Sequence, residues 1–175
     1  MSELLPELAG VEYWMLTDKI RYPKVMQLAY QHEAAPELAD LFINSPFAYL
    51  MPQSPVIFRL RHDSSLLTIW QNDSLWRSSA VIFACQAGAF DTLKQHLLAL
   101  LQPRILGRQT IFRYYSNQTL DPLYSELDAD DRDTLLGPAS ALWWTSQQGE
   151  IRSLKHTPKA VESYSFNSAV FSKWI

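Results

Sequence analysis

IFRYYSNQTL, residues 111–120, holds the junction from which the rest of this chain can be interpreted. An apolar pair leads into Arg113 and two tyrosines, and a turn-like Ser-Asn pair then precedes a polar entry into a helix. This order predicts a strand, a turn and a helix. An active site, a structural corner and a docking surface would each place an arginine and two tyrosines at the end of a strand. The chemistry of the stretch leaves all three open.

Strand alternation predicts which side chains of this stretch are buried. Ile111 or Phe112 points into the core and its neighbour to the other face, so that Arg113 and Tyr115 share a face. We expect Arg113 to reach a carboxylate or carbonyl groups at the end of the sheet, because a bidentate guanidinium fixes such a corner better than an ammonium group. Ser116 or Asn117 is expected to make the turn, and Gln118 or Thr119 is expected to cap the helix that follows.

Periodicity elsewhere predicts strands and helices that alternate along the chain. AVIFAC, 80–85, is a continuous apolar run of strand length, which is typical of a strand covered on both faces. AFDTLKQHLLALL, 89–101, has an apolar stripe at helical spacing. The other predicted strands cover 11–17, 56–61, 109–115 and a hairpin turning near Gly149, and the other predicted helices cover 24–33, 36–42, 65–71 and 119–127. The class is therefore α/β or mixed α+β, with a single central mixed β-sheet flanked by helices.

Composition and charge limit the classes of function. The 175 residues are 47 % hydrophobic and 19 % charged, which is a globular composition. A net charge of −3 without any basic run gives little support for nucleic-acid binding. The N-terminal residues do not have the pattern of a secretory signal, and no apolar run approaches the roughly 20 residues of a membrane span. We expect a soluble, cytoplasmic protein with no membrane partner.

Side chains that could carry catalysis or hold a metal are scattered. The four histidines are far apart, and a single cysteine, Cys85, lies in an apolar strand where an inert buried thiol is expected. There is no GxSxG elbow and no glycine-rich phosphate loop. His96 is expected to hold a carbonyl or carboxylate rather than to act as a base, and the acidic run 128–133 is expected to be a solvated surface. The sequence therefore predicts no catalytic, cofactor or metal site.

The last residues, 156–175, form an aromatic-rich tail behind a domain that we place at 1–155. Tyr164 and Phe166 alternate, and Phe171 and Trp174 have near-helical spacing. So many large apolar side chains are unusual in a solvated chain end. Two alternatives stay open: the tail folds back and covers the sheet, or it docks on a partner.

Six short motifs occur in a fixed order along the chain. They are YWMLTD (13–18), LF (41–42), SPVIFRL (54–60), KQHLLALL (94–101), FRYYSNQTL (112–120) and LLGPASALWW (135–144). The series resembles the type VI secretion effector adaptors, also called effector chaperones, a family filed as domain of unknown function 4123. In this chain SNQ stands where the family usually has DP, and HLL replaces HLR. The resemblance covers about residues 12–150.

The resemblance implies an adaptor rather than an enzyme. Such proteins bind a cognate secreted effector in the cytoplasm and help to load it onto the VgrG spike, without a cofactor. An immunity protein that neutralises a cognate toxin is the alternative, and an enzyme of unrecognised type is a third hypothesis. The candidate partner-binding or structural residues are Arg113, Tyr115, His96, Trp143, Trp144, Tyr164, Phe166, Phe171 and Trp174.

Overall fold

A computed structural model describes residues 4–33 and 36–174, except for the side chain of residue 174. The strands in this part of the chain are β1 (Val11–Thr17), β2 (Leu38–Asp40), β3 (Val56–Leu60), β4 (Ala80–Gln86), β5 (Arg104–Ile105), β6 (Arg108–Gln109), β7 (Ala141–Thr145), β8 (Ile151–Lys155) and β9 (Ser165–Phe166). The α-helices are α1 (Val25–His32), α2 (Leu66–Asn72), α3 (Ser74–Arg77), α4 (Phe90–Ala99), α5 (Asn117–Leu120) and α6 (Ala129–Leu136). Short 3-10 helices cover Ala48–Gln53, Asp121–Leu123 and Ala169–Trp174.

The main sheet has six strands in the order β2-β3-β1-β4-β7-β8. Every neighbouring pair in it is antiparallel. A second, three-stranded sheet has the order β6-β5-β9, in which β5 and β9 are parallel. The predicted mixed α+β class is confirmed. In detail, the central sheet is antiparallel rather than mixed in direction, and the small sheet is an addition.

Both faces of the main sheet are covered, so the molecule has three layers. On one face, the α1 side, Tyr13 and Met15 of β1 pack with α1, α2 and α3. On the other face, the α4 side, Trp14 and Leu16 pack with α4, α6 and residues near the end of the chain. Successive β1 side chains therefore enter different cores, as the period of two in a strand requires. Such burial is worth roughly 1.5–3 kcal/mol for each large apolar side chain.

Three predicted elements with strong patterns are confirmed. All residues of AVIFAC are buried in β4, which lies in the middle of the sheet. Helix α4 occupies most of 89–101 and buries Leu93 and Leu97. Strands β7 and β8 form the predicted hairpin, and Gly149 in its turn has a φ of 89°, a value that favours glycine.

Two predicted elements are wrong. Residues 36–42 were expected to be helical, but Leu38–Asp40 pairs with β3 as the edge strand β2. Of the expected strand 109–115, only Gln109 lies in a strand, as the second residue of β6. Beyond β6 the Phe112 N–H donates to the carbonyl of Leu101 at the end of α4, at 2.9 Å. The backbone therefore packs across the end of that helix instead of joining a sheet.

The acidic run 128–133 was expected to be a solvated surface, but two of its carboxylates make structural hydrogen bonds. Asp128 accepts a hydrogen bond from the Asp131 N–H at 2.8 Å and caps the start of α6. Asp131 is buried, and its carboxylate accepts hydrogen bonds from the backbone N–H groups of Asn167 and Ser168 and from the Ser168 hydroxyl. The run thus fixes the tail to the domain.

Candidate partner-binding groove

A groove lies at the end of the main sheet where β1 finishes and β3 and β4 begin. Thr17 pairs there with both Val56 and Ala80. The groove consists of two adjoining depressions of about 380 and 220 Å³, which share Asp18, Arg21, Arg113 and Tyr115. We call it the sheet-end groove. Its apolar half is also lined by Phe42, Phe47, Leu50, Leu101 and Ile111, and its polar half by Ser78, Ser79, Ser116, Gln118 and Thr119.

The aromatic residues of the 111–120 stretch fix this wall of the groove. The Phe112 ring packs on Phe166, with ring centroids 5.2 Å apart. The Tyr114 hydroxyl donates to the carbonyl of Leu97 at 2.5 Å, and its ring meets Phe83 edge-on. Both residues are fully buried. A rigid backbone therefore presents Ile111 and Arg113 on the outside.

Asn117 ties the start of α5 to the sheet. Its side-chain amide donates to the carbonyl of Thr145, the last residue of β7, at 3.0 Å. The helix begins at Asn117 itself, so Gln118 and Thr119 lie within α5 and do not cap it, contrary to the prediction. The turn expected at Ser116 or Asn117 is present as the entry into this helix.

The predicted alternation of side chains between two faces does not hold in residues 111–115, because these residues do not form a strand. Tyr115 is buried, whereas Arg113 is exposed, so the two do not share an environment, although both border the groove. Burial raises the pKa of the Tyr115 hydroxyl to about 12, and the nearby Arg113 guanidinium acts in the opposite direction. Within the described residues Arg113 has neither a hydrogen bond nor an ion pair, contrary to the carboxylate or carbonyl partner that we expected.

The charges of the sheet-end groove are Asp18, Arg21 and Arg113. The Asp18 carboxylate accepts the backbone N–H groups of Ile20 and Arg21 at 3.1 and 3.3 Å, so it holds the local turn. Arg21 is exposed and donates a hydrogen bond to the Ser78 hydroxyl at 3.3 Å. Two guanidinium groups against one carboxylate leave the groove cationic in a chain whose net charge is −3.

Two isoleucines beside the arginines are exposed. Ile20 is 57 % exposed and Ile111 is 61 % exposed, and both line the apolar half of the groove. Phe47 and Leu50 at its base are only partly buried. Single exposed apolar residues are ordinary, but a cluster beside unpaired cations is typical of a surface that contacts another polypeptide.

Several other predicted site residues are structural in this conformation. Trp143 and Trp144 lie on opposite faces of the main sheet, and the Trp144 indole donates to Asp121 at 2.7 Å. Phe166 and Phe171 are completely buried on the α4 side. The structure therefore favours the alternative in which the tail packs on the sheet. The Trp174 side chain lies outside the described residues.

His96 and Tyr164 form a small polar link between α4 and the tail. His96 Nε2 donates to the carbonyl of Leu135 at 2.9 Å, as the predicted carbonyl contact requires, and Nδ1 accepts from the Tyr164 hydroxyl at 2.9 Å. Burial lowers the pKa of His96 to about 4. Gly137 lies against this ring, where an added Cβ would come within 2.5 Å of it. The imidazole is thus held neutral and enclosed.

The predicted residues do not converge on one site. Among the predicted residues whose side chains are described, only Arg113 and Tyr115 reach the sheet-end groove, and sequence analysis missed Asp18, Arg21 and Ile20 there. A signal was present, because a polar turn directly after a buried strand lies on the surface at the end of the sheet. However, nothing in the sequence joined residues 18–21 to 111–119 in space.

Elsewhere in the described residues, few side chains are placed to bind a metal ion or to act as a nucleophile. No group of three or more His, Cys, Asp and Glu side chains is arranged there to hold a metal ion. Cys85 is buried, as predicted, and this burial raises its thiol pKa to about 11. No helix in the described ranges is long and apolar enough to cross a membrane.

The fold and the groove together define a mixed α+β domain with an open, cationic and partly apolar surface at one end of its sheet. The chain belongs to the family described as a domain of unknown function, DUF4123, whose model matches residues 13–134. The match runs from β1 to α6 and includes the sheet-end groove. Comparisons with curated proteins and with solved structures found no match.

Proposed function

We propose that this protein is a non-enzymatic adaptor of the type VI secretion system, which binds a cognate effector in the cytoplasm and helps to load it onto the VgrG spike. The observation that carries the proposal is the sheet-end groove, where Arg113 and the exposed Ile111 stand beside each other on a rigid backbone. Arginine is enriched at protein–protein interfaces and among the residues that carry most of their binding energy.

Family membership supports the same role indirectly. The six ordered motifs resemble those of effector adaptors, and five of them lie wholly within the matched residues 13–134 together with the groove. The well-packed main sheet would act as a scaffold, since its two faces are occupied by the molecule's own cores. A partner would therefore bind at the edges and ends of the sheet rather than on its faces.

Affinity capture from the native cells tests the proposal. The tagged protein is expected to bring down a secreted effector and VgrG, identified by mass spectrometry, whereas an untagged strain is not. An effector that reaches the spike fraction only when the adaptor gene is intact would support loading as well as binding. Capture of neither protein contradicts the proposal.

An immunity protein would give a different result in the same cells. Its gene would follow that of a toxin, and its deletion would poison the cell that makes the toxin. Deletion of an adaptor gene should instead abolish delivery of the effector without harming the producer. Viability and secretion, measured together in the deletion strain, therefore distinguish the two classes of protein.

A further inference from the structure

We propose that the sheet-end groove binds a short acidic segment of the effector, with one or more carboxylates held by Arg21 and Arg113 and a neighbouring apolar side chain held beside Ile111. This inference rests on the proposed adaptor function for the identity of the partner. Its chemistry rests on the groove alone.

The charges of the groove call for an anion. Among the described residues, no carboxylate oxygen lies within 4.0 Å of the guanidinium group of Arg21 or Arg113, although both groups line the two depressions. The Asp18 carboxylate, which accepts backbone N–H groups of its own turn, offsets only one of the two guanidinium charges and leaves the groove with one net positive charge. Arginine binds carboxylates in a bidentate geometry, and partial enclosure strengthens such a pair.

The two halves of the groove call for two kinds of side chain. Next to the arginines, Ser116, Gln118 and Thr119 offer polar groups in a depression of about 220 Å³. The adjoining depression of about 380 Å³ has Phe47, Leu50 and Ile111 on its walls. Because both depressions share the two arginines, a single extended segment can place an acidic residue in one and an aliphatic or aromatic residue in the other.

Size favours a segment over a folded surface. Cavities of a few hundred Å³ enclose small ligands or a few side chains. The exposed Ile20 and Ile111 lie along the same depression and extend the apolar contact beyond it. An extended peptide can follow this path, whereas a flat domain surface would leave the depressions empty.

Peptide selection tests the chemistry directly. Random 12-residue peptides displayed on phage are selected on the immobilised full chain, and a fluorescent copy of the dominant peptide is titrated by anisotropy. We expect enrichment of Asp or Glu next to an apolar residue. We also expect the Kd of that peptide to rise at least about tenfold in Arg21→Glu/Arg113→Glu and with increasing salt.

The matched control is Arg104→Glu/Arg108→Glu, which makes the same change in charge at two exposed arginines on β5 and β6. It should bind the peptide with the wild-type Kd, and circular dichroism should show that both double variants are folded. Selection without acidic enrichment, or equal binding by the two double variants, overturns the inference. Self-association of the chain through the groove, measured by analytical ultracentrifugation, overturns it as well.

Effector capture with the same double variants separates this inference from the proposed function. Capture by the wild type and the control, but not by Arg21→Glu/Arg113→Glu, supports both. Equal capture by all three overturns the groove inference and leaves the adaptor function intact. If the selected acidic peptide binds but no effector is captured by the wild type, the adaptor function fails, and with it the assignment of the segment to an effector.

Discussion

Phe112 is one of the side chains that the 111–120 stretch buries in the core. Its ring is fully buried and contacts the rings of Phe166 and Phe171. Phe112→Ala should lower the free energy of unfolding by about 3–5 kcal/mol, since the loss of a buried ring leaves a cavity. Urea denaturation provides the measurement, and Ile111→Ala, at an exposed neighbour, should change it by less than about 1 kcal/mol. Equal midpoints for the two variants would contradict this account.

His96 should make the fold less stable in acid. Its folded pKa of about 4 lies below the ordinary value of 6.5, so that below pH 6.5 the unfolded chain takes up a proton that the folded chain does not. The contribution is present in full above pH 6.5 and is lost progressively as the pH falls toward 4. Between pH 7 and pH 5 the loss is about 2 kcal/mol.

The variant His96→Gln isolates this contribution, because an amide can still donate to the carbonyl of Leu135 but does not titrate. Urea unfolding of both proteins at pH 7 and pH 5 should show a smaller loss of stability in the variant. A variant with the wild-type pH dependence would mean that other groups cause the acid sensitivity, such as Asp133, whose carboxyl pKa is lowered by its hydrogen bond with Lys159.

At the scale of elements, Asp131 is the link between α6 and the tail. Its carboxylate accepts hydrogen bonds from Asn167 and Ser168. An amide at this position can accept with only one atom, so Asp131→Asn should cost about 2 kcal/mol. It should also accelerate amide hydrogen exchange in residues 165–171. Asp130→Asn, an exposed neighbour in the same helical turn, is the control, and similar exchange in the two variants would contradict the role of this link.

The elements that could be predicted from sequence are those whose pattern is long. The buried strand β4, the amphipathic α4 and the hairpin of β7 and β8 satisfy their own periodicity and need no distant partner to be recognised. The conformation of a short element depends instead on the elements that lie beside it in space. Leu38–Asp40 is a strand because β3 offers an open edge. Residues 110–115 do not join a sheet, and the N–H groups of Thr110 and Phe112 donate instead to carbonyls of Pro103 and Leu101 in the segment that follows α4.

The whole molecule should unfold in a single step, because its two cores share one sheet. Trp76 reports on the α1 side, where its indole donates to Thr17, and Trp144 reports on the α4 side. In ¹⁵N-labelled protein the two indole signals should disappear at the same urea concentration. Separate midpoints would show that the two sides fold independently.

The sheet-end groove exists only at this largest scale, which explains why sequence analysis found half of it. Its walls come from the end of β1, the 3-10 helix Ala48–Gln53, the start of β4 and the 111–120 stretch. The aromatic and arginine content of one wall was recognisable along the chain. The opposite wall comes from turns with no pattern of their own, and only the strand order of the sheet brings the two together.

The pairing of β9 with β5 has a consequence for biosynthesis. Phe166 and Phe171, which seal the α4 side, are made after the strands and helices that they cover. A nascent chain that has not reached residue 171 therefore leaves the apolar side chains around Phe112 uncovered. Completion of this core therefore has to wait until residues 166–171 are free to pack against the domain.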